Sequence, residues 1–243
     1  MFLCFYVFMN MKKLHHFIGQ FNLADDTITL TDRRLVHQLA DVLQLRAGET
    51  IVLCDGQGTK VTAHLSALGQ GRVIVQAISR TTAPAHPPLH LFCSLIKKDR
   101  FEFVAQKATE LGATHITPLL AARTVKHHLN LARMQTIATE AAEQSEQFFC
   151  PAITAPVLFS EALKKYPPEQ TFFFHPDGLP VKKIPVSAAL PTALYIGPEG
   201  GWTDDEVAQA EKYGARIVSL GSGILRAETA AIIAAWWGSQ AAS

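Results

Sequence analysis

Two glycine-bearing stretches carry the residues most able to hold a small molecule: Gly197-Pro198-Glu199-Gly200-Gly201 and Gly221-Ser222-Gly223-Ile224-Leu225-Arg226. Glycine lets backbone N–H groups approach a ligand closely, and a helix entered directly afterwards adds its positive end and unpaired donors. Each stretch follows an apolar run, Ala193–Ile196 or Ala215–Leu220, and precedes a helical pattern. The expectation is two loops lying side by side at the carboxyl edge of one sheet. Thr203-Asp204-Asp205-Glu206 reads as a capping box with acids in the first turn, which ties down the far end of the first loop.

Several chemistries are disfavoured by motif. After the first strand of the α/β region stands Ser94-Leu95-Ile96-Lys97-Lys98 rather than the G-x-G-x-x-G of dinucleotide binding. The phosphate-cradling G-x-x-x-x-G-K-[ST] is missing, and Gly221-Ser222-Gly223 does not have the spacing of a nucleophile elbow. What remains is a backbone-rich site for an uncharged or cationic nucleoside. Phe174-His175-Pro176, at the end of a third strand, is expected to join it.

The elements that must position these loops fall into two styles. From His16 to Arg80 the pattern is short and β-rich, with strands expected over 17–21, 27–31, 50–54, 60–67 and 72–79 and turns at Gly48, Gly56–Gly58 and Gly69–Gly71. One helix interrupts them, capped by Asp32, with Leu35, Leu39, Val42 and Leu43 expected on one face. Sixty residues or so of this kind suggest a small barrel. A proline-rich stretch, 81–88 (TTAPAHPP), reads as the linker between domains. Beyond it strands over 89–96, 115–120, 153–159, 171–175, 193–196 and 215–220 alternate with helices over 101–111, 129–147, 160–166 and two more after the loops. That alternation predicts a mostly parallel sheet covered on both faces.

The chain of 243 residues, 48% apolar, can bury a substantial core. Its 22 basic and 21 acidic residues give a net charge of +1, so any RNA contact must come from a local patch rather than a basic surface. Candidates for such contacts are Lys97, Lys98 and Arg100, which leave a strand together, and Arg123 with Lys126. Cys4, Cys54, Cys93 and Cys150 are scattered, without zinc spacing or a disulfide framework, and the histidine pairs lack partners at metal spacing. No metal and a reducing, cytoplasmic setting are the expectations. Met1–Met9 is apolar but too short to cross a bilayer; residues 1–10 read as an upstream extension, with Met11 as a second candidate start.

The loops and their surroundings closely resemble the RsmE family, the 16S ribosomal RNA (uridine-N3)-methyltransferases of the SPOUT superfamily. The resemblance rests on Ile196–Gly201, Leu220-Gly221 and Ile224-Leu225-Arg226-Ala227-Glu228-Thr229-Ala230, supported by Phe103–Gly112 with Ile116–Leu119, Glu140–Ser145, and His37, Val42-Leu43, Gly48 and Asp55-Gly56. It covers nearly the whole chain from Met11.

That resemblance implies a PUA-like RNA-binding β-barrel over 11–80 and a SPOUT methyltransferase domain over 89–243, a mostly parallel sheet closed by a trefoil knot. Pattern reading would not propose a knot, since connections rarely thread one another. The resemblance further implies a homodimer and S-adenosylmethionine held by Phe174, His175, Ile196, Gly197, Glu199, Gly201, Leu220, Gly221, Ile224 and Leu225. The substrate would be a decoding-site uridine of 16S rRNA within the 30S subunit. For that chemistry Arg226 is the candidate to stabilise negative charge on the uridine carbonyls, with Glu228 and Glu199 to orient it or accept a proton. The family pattern has arginine where Gly223, Gln44 and Gln147 stand here, so fewer phosphate contacts and reliance on the assembled subunit are expected. A SPOUT enzyme acting on another RNA and a non-catalytic RNA-binding factor are the competing readings.

Overall fold

Strand pairing in the first part of the chain follows alternating burial. In the computed structural model, which describes residues 14–84, 87–125, 128–165, 170–187 and 189–240, the chain divides into two compact units. The expected extension 1–10 and Lys126 lie outside the described residues. The first unit spans residues up to Asp55 and Thr59–Thr82; the second takes Gly56–Gly58 and everything from Ala83.

In the first unit β1 (His15–Ile18), β2 (Thr27–Leu30), β3 (Thr50–Cys54), β4 (Thr59–Gly69) and β5 (Arg72–Thr82) form one sheet in the order β1-β3-β4-β5-β2. Only the β1–β3 pair is parallel. Phe17, Ile28, Leu30, Ile51, Leu53, Val61, Leu65, Val73 and Val75 face inward, so the period-two pattern decides which side is core. β5 runs on through Thr82, two residues into the stretch read as linker. The helix α1 (Arg33–His37) is capped as expected, Asp32 accepting from the Leu35 N–H at 2.8 Å. It continues into a π-helical turn over Gln38–Val42, which corrects one expectation: Val42 is 63% exposed while Leu39 is fully buried. The wider turn, closed by Leu43 N–H on the Gln38 carbonyl, rotates Val42 off the face it would share in an α-helix.

The second unit is built on a parallel sheet. Its strands are β6 (Leu89–Ser94), β7 (His115–Leu120), β8 (Ala152–Ile153), β9 (Val157–Leu158), β10 (Thr171–Pro180), β11 (Thr192–Ile196) and β12 (Arg216–Ser219). The order is β12-β10-β11-β6-β7-β8, with β9 also on β7, and every pair is parallel. The predicted α/β class is what the chain adopts. A single strand over 153–159 is not: two short pieces flank Pro156, and Phe159 instead opens a short helix, α4 (Phe159–Ala162), and is buried. Proline lacks the N–H that a central strand must donate.

Around the sheet pack α2 (Lys98–Glu110), α3 (Leu131–Gln144), α5 (Asp204–Lys212) and α6 (Ala227–Ser239). Helix α3 starts at Asn130, whose side chain accepts from Arg133 N–H at 3.0 Å. α6 is nearly all apolar because its alanines, 227, 231, 234 and 235, sit in the same core cluster as Leu91, Leu194 and Ala105. Gly238 lies so close to Leu89 and Leu194 that an added Cβ would stand 2.7 Å and 3.1 Å from their methyls. Trp237 completes this packing edge-on to Phe172, centroids 4.8 Å apart, whereas Trp236 is exposed. The chain therefore leaves β12 at one margin of the sheet and returns across it to seat α6 on β6 and β11.

The opposite face holds an aromatic layer. Phe92 stacks on Tyr195 with centroids 4.5 Å apart, and His90 stacks on Phe92 at 3.8 Å. His90 Nε2 is 2.7 Å from Thr117 Oγ1, which is itself 2.7 Å from Thr154 Oγ1. Burial, then the nearby His115 and Lys165, push the His90 pKa down to about 3 from the usual 6.5. The folded protein thus keeps this ring neutral where the unfolded chain would bind a proton, so stability is fully present above pH 6.5 and falls as pH drops from there toward 3. Unfolding free energies measured at pH 7 and pH 5 should fall by about 2 kcal/mol more for the wild type than for His90→Phe. Equal falls in the two proteins would show that His90 does not drive acid sensitivity.

Candidate functional site

The carboxyl ends of β10, β11 and β12 open on one cleft of about 660 Å³. The expectation of adjacent loops needs correcting here. β10 lies between β11 and β12, so the two glycine loops reach the cleft from either side of a third strand. That strand makes the arrangement possible by leaving its register: Val218 of β12 pairs first with Phe174 and again with Leu179, so residues 175–178 bulge out over the edge. His175 and Pro176, at the top of the bulge, line the cleft. Gly178 brings the chain back, and it passes so near β12 that a Cβ there would lie 2.5 Å from the Val218 carbonyl carbon and 2.6 Å from its nitrogen.

All ten residues anticipated for a bound nucleoside line this cleft. Phe174 and His175 come from β10, Ile196, Gly197, Glu199 and Gly201 from the first glycine loop, and Leu220, Gly221, Ile224 and Leu225 from the second. The first loop is closed by Gly201 N–H on the Pro198 carbonyl at 2.9 Å and then enters α5 through the expected capping box. Glu206 serves twice: Oε2 accepts from the Thr203 N–H at 2.9 Å, and Oε1 accepts from the Ala122 N–H at 2.8 Å. In the second loop Ser219 Oγ donates to the Gly221 carbonyl at 3.0 Å. Ile224 also lines the cleft and is 94% exposed.

Three contributors were not legible as a group. Trp202, buried, donates its Nε1–H to the Phe174 carbonyl at 3.1 Å and so ties the first loop to β10. A Cβ at Gly197 would come within 2.9 Å of that indole nitrogen. Arg123, from the loop after β7, donates through Nη1 to the Gly200 and Trp202 carbonyls at 2.9 and 3.0 Å. Lys97, just before α2, also lines the cleft.

The basic residues thus separate by position. Lys97, Arg100, Arg123 and Arg226 border the cleft, against the single lining carboxylate Glu199. Lys98 does not; its Nζ stands 3.9 Å from Glu102 on the outer face of α2. Arg100 is not a free cation, since its Nη1 donates to Glu199 Oε1 at 2.7 Å and its Nε is 3.7 Å from Glu228 Oε1. Arg226, exposed at the residue preceding α6, has no carboxylate partner among the described residues. Glu228 lies behind the wall, with one oxygen, Oε2, buried and without a hydrogen-bond partner among the described residues. Cys93 cannot serve as a nucleophile here: burial, reinforced by the Glu228 charge, pushes its thiol up to about 12. Among the described residues no three His, Cys, Asp or Glu side chains gather as a metal site, and no helix is long and apolar enough to cross a membrane.

Residues 84–237 match the RNA methyltransferase domain family. The chain is 38% identical over 226 residues to the ribosomal RNA small subunit methyltransferase E of Synechocystis, covering 87% of this chain and 72% of that protein. The chain belongs to this methyltransferase E family. The namesake from Rickettsia conorii is 29% identical, with 92% of this chain and 94% of the relative aligned. The crystal structure of methyltransferase E from Neisseria gonorrhoeae bound to S-adenosyl methionine superposes with a TM-score of 0.83 at 32% identity, covering 92% and 95% of the two chains. A family member uses S-adenosylmethionine as its methyl donor, and the cleft has the volume and the apolar Ile196, Leu220 and Leu225 that such a ligand needs. Gln147, one of the three positions where the resemblance leads to an expectation of arginine, donates its amide to the Glu110 carbonyl at the end of α2.

Proposed function

We propose that this chain methylates N3 of a decoding-site uridine in 16S rRNA, acting on the assembled 30S subunit as a cytoplasmic homodimer. The observation that carries the reading is the convergence of both glycine loops and the β10 bulge on one cleft with Arg226 at its lip. S-adenosylmethionine, when bound there, supplies a methyl group already activated on a sulfonium. The ten residues from Phe174 to Leu225 named above would hold it, largely through backbone groups, and Lys97 or Arg123 would meet its carboxylate. Aligning two reactants can supply roughly 7–11 kcal/mol of a barrier, so positioning does much of the work.

The uridine N3 keeps its proton at neutral pH, and the negative charge that develops as it leaves spreads to the flanking carbonyl oxygens. Arg226 presents a planar set of donors for those oxygens. Of the two acids expected to orient it or take the proton, Glu199 lines the cleft and is the one able to take the proton, whereas Glu228 lies behind the wall. Both acids are paired with Arg100 rather than Arg226. Lys98 and Lys126, and whichever of Lys97 and Arg123 does not meet the cofactor carboxylate, would contact RNA phosphates, with the first unit as a PUA-like barrel guiding the RNA. A knotted threading of the last segment belongs to this proposal, and the packing of α6 on β11 and β6 after β12 is compatible with it. The exposed Trp236 with Phe103 and Ile233 suits a dimer contact.

The test is calorimetric titration with S-adenosylmethionine followed by mass mapping of 16S rRNA from treated 30S subunits. Saturable binding and one new N3-methyluridine are expected. A mark on another RNA would move the substrate, and binding without any mark would leave a non-catalytic RNA-binding factor.

A further inference from the structure

Arg100 occupies a position that neither glycine loop explains. It sits in the first turn of α2, yet its guanidinium reaches two carboxylates far apart in sequence, and it does so through different nitrogens. Nη1 donates to Glu199 Oε1 at 2.7 Å, in the first glycine loop, and Nε lies 3.7 Å from Glu228 Oε1, in the first turn of α6 directly after the second loop. The side chain of Glu228 is only 13% exposed, and its Oε2 is buried with no hydrogen-bond partner among the described residues. A carboxylate in that setting is costly unless a cation stands next to it. Arg100 is the cation recorded beside it.

We infer that Arg100 is a positioning residue which couples the two cofactor-enclosing loops to each other, rather than a contact to RNA phosphate. The chemistry of the fork decides this. A planar guanidinium can address two acceptors along different N–H directions at once, whereas an ammonium is a point charge on a flexible stem. Its partners are the acid in the centre of one loop and the acid that follows the other. No other residue described here forms ion pairs with both segments. Fixing them relative to one another adds a direct link between the two loops to the ties that Trp202 and Arg123 already give the first loop. The basic run Lys97-Lys98-Arg100 therefore divides: Lys97 at the cleft, Lys98 outward beside Glu102, and Arg100 inward between two acids.

This inference rests on the reading that the cleft binds S-adenosylmethionine, and the experiment separates the two. Affinity for S-adenosylmethionine is measured by calorimetry for the wild type, Arg100→Gln, Arg100→Lys, Glu199→Gln and the Arg100→Gln/Glu199→Gln double variant, with KM for 30S subunits measured alongside. The loss of a charged hydrogen bond should weaken cofactor binding roughly tenfold in each single variant. The double variant should bind no more weakly than Arg100→Gln alone, because the two residues act through one contact. Lysine should restore little. Should Arg100→Gln fail to fold by circular dichroism, Glu199→Gln breaks the more exposed half of the bridge and reads the same coupling. The inference is overturned if lysine restores wild-type affinity, if the effects add, or if cofactor affinity is unchanged while KM for the subunit rises about tenfold, the behaviour of a phosphate contact. Failure of the wild type to bind S-adenosylmethionine would instead overturn the cofactor reading itself.

Discussion

Replacing Arg226 by alanine is expected to slow methyl transfer by about two to three orders of magnitude while leaving S-adenosylmethionine affinity within about twofold, the size of effect seen when one preorganised donor to a developing oxyanion is removed. The separation of the two effects follows from placement. Arg226 is exposed at the cleft lip, just before α6, and its side chain caps nothing. The residues proposed to hold the cofactor end at Leu225 in this loop and lie otherwise in the first glycine loop and β10, although Arg226, Ala227 and Ala230 also line the cleft. Arg226→Lys should recover only a minor part of the rate, since it keeps the charge but loses the planar pair of donors. Single-turnover transfer of labelled methyl to 30S subunits, alongside cofactor titration, measures both quantities. A parallel loss of cofactor affinity and rate would reassign Arg226 to the cofactor, and an unchanged rate would remove it from the chemistry.

The second large effect is on folding. Gly178→Ala should destabilise the second unit by about 2–3 kcal/mol or more, lowering its melting temperature by roughly 5–10 °C, because the added methyl has nowhere to go. The atoms it would meet, at 2.5–2.7 Å, are the backbone carbon, nitrogen and Cα of Val218, in a strand paired with β10 on both sides of the bulge. A flexible side chain could swing away; a paired strand cannot. The bulge also carries His175 and Pro176 into the cleft, so cofactor affinity should fall with stability. Thermal unfolding with and without S-adenosylmethionine tests this. A variant as stable as the wild type would show that β12 shifts freely, and would weaken the case for a tightly threaded crossing. Gly223→Ala is a fair control, because a Cβ there meets nothing within 4 Å.

Much of this molecule was legible in local pattern. The capping box at Thr203, the Asp32 cap, the parallel α/β region and the three strand ends that meet at the cleft were readable because caps, hydrophobic period and glycine loops are signals within a few residues, whereas the ten individual residues came from the family resemblance. The misreadings have local causes as well. A π-turn moved Val42 outward, and Pro156 divided one expected strand in two. Arg100 shows the limit of such reading: as part of Lys97-Lys98-x-Arg100 it reads as a candidate phosphate contact, and nothing in its neighbourhood announces partners at 199 and 228.

By itself, then, the sequence determined the class of fold, the two glycine loops and the family to which they belong, since each depends on residues close together along the chain. Tertiary structure decided the strand order that puts β10 between the loops, the bulge closed by Gly178 against Val218, the tie from Trp202 to Phe174, and which cations face the cleft and which are held by acids. Those are contacts between segments tens of residues apart, and their geometry is set by packing of the whole sheet and its helices, which no short stretch of sequence encodes.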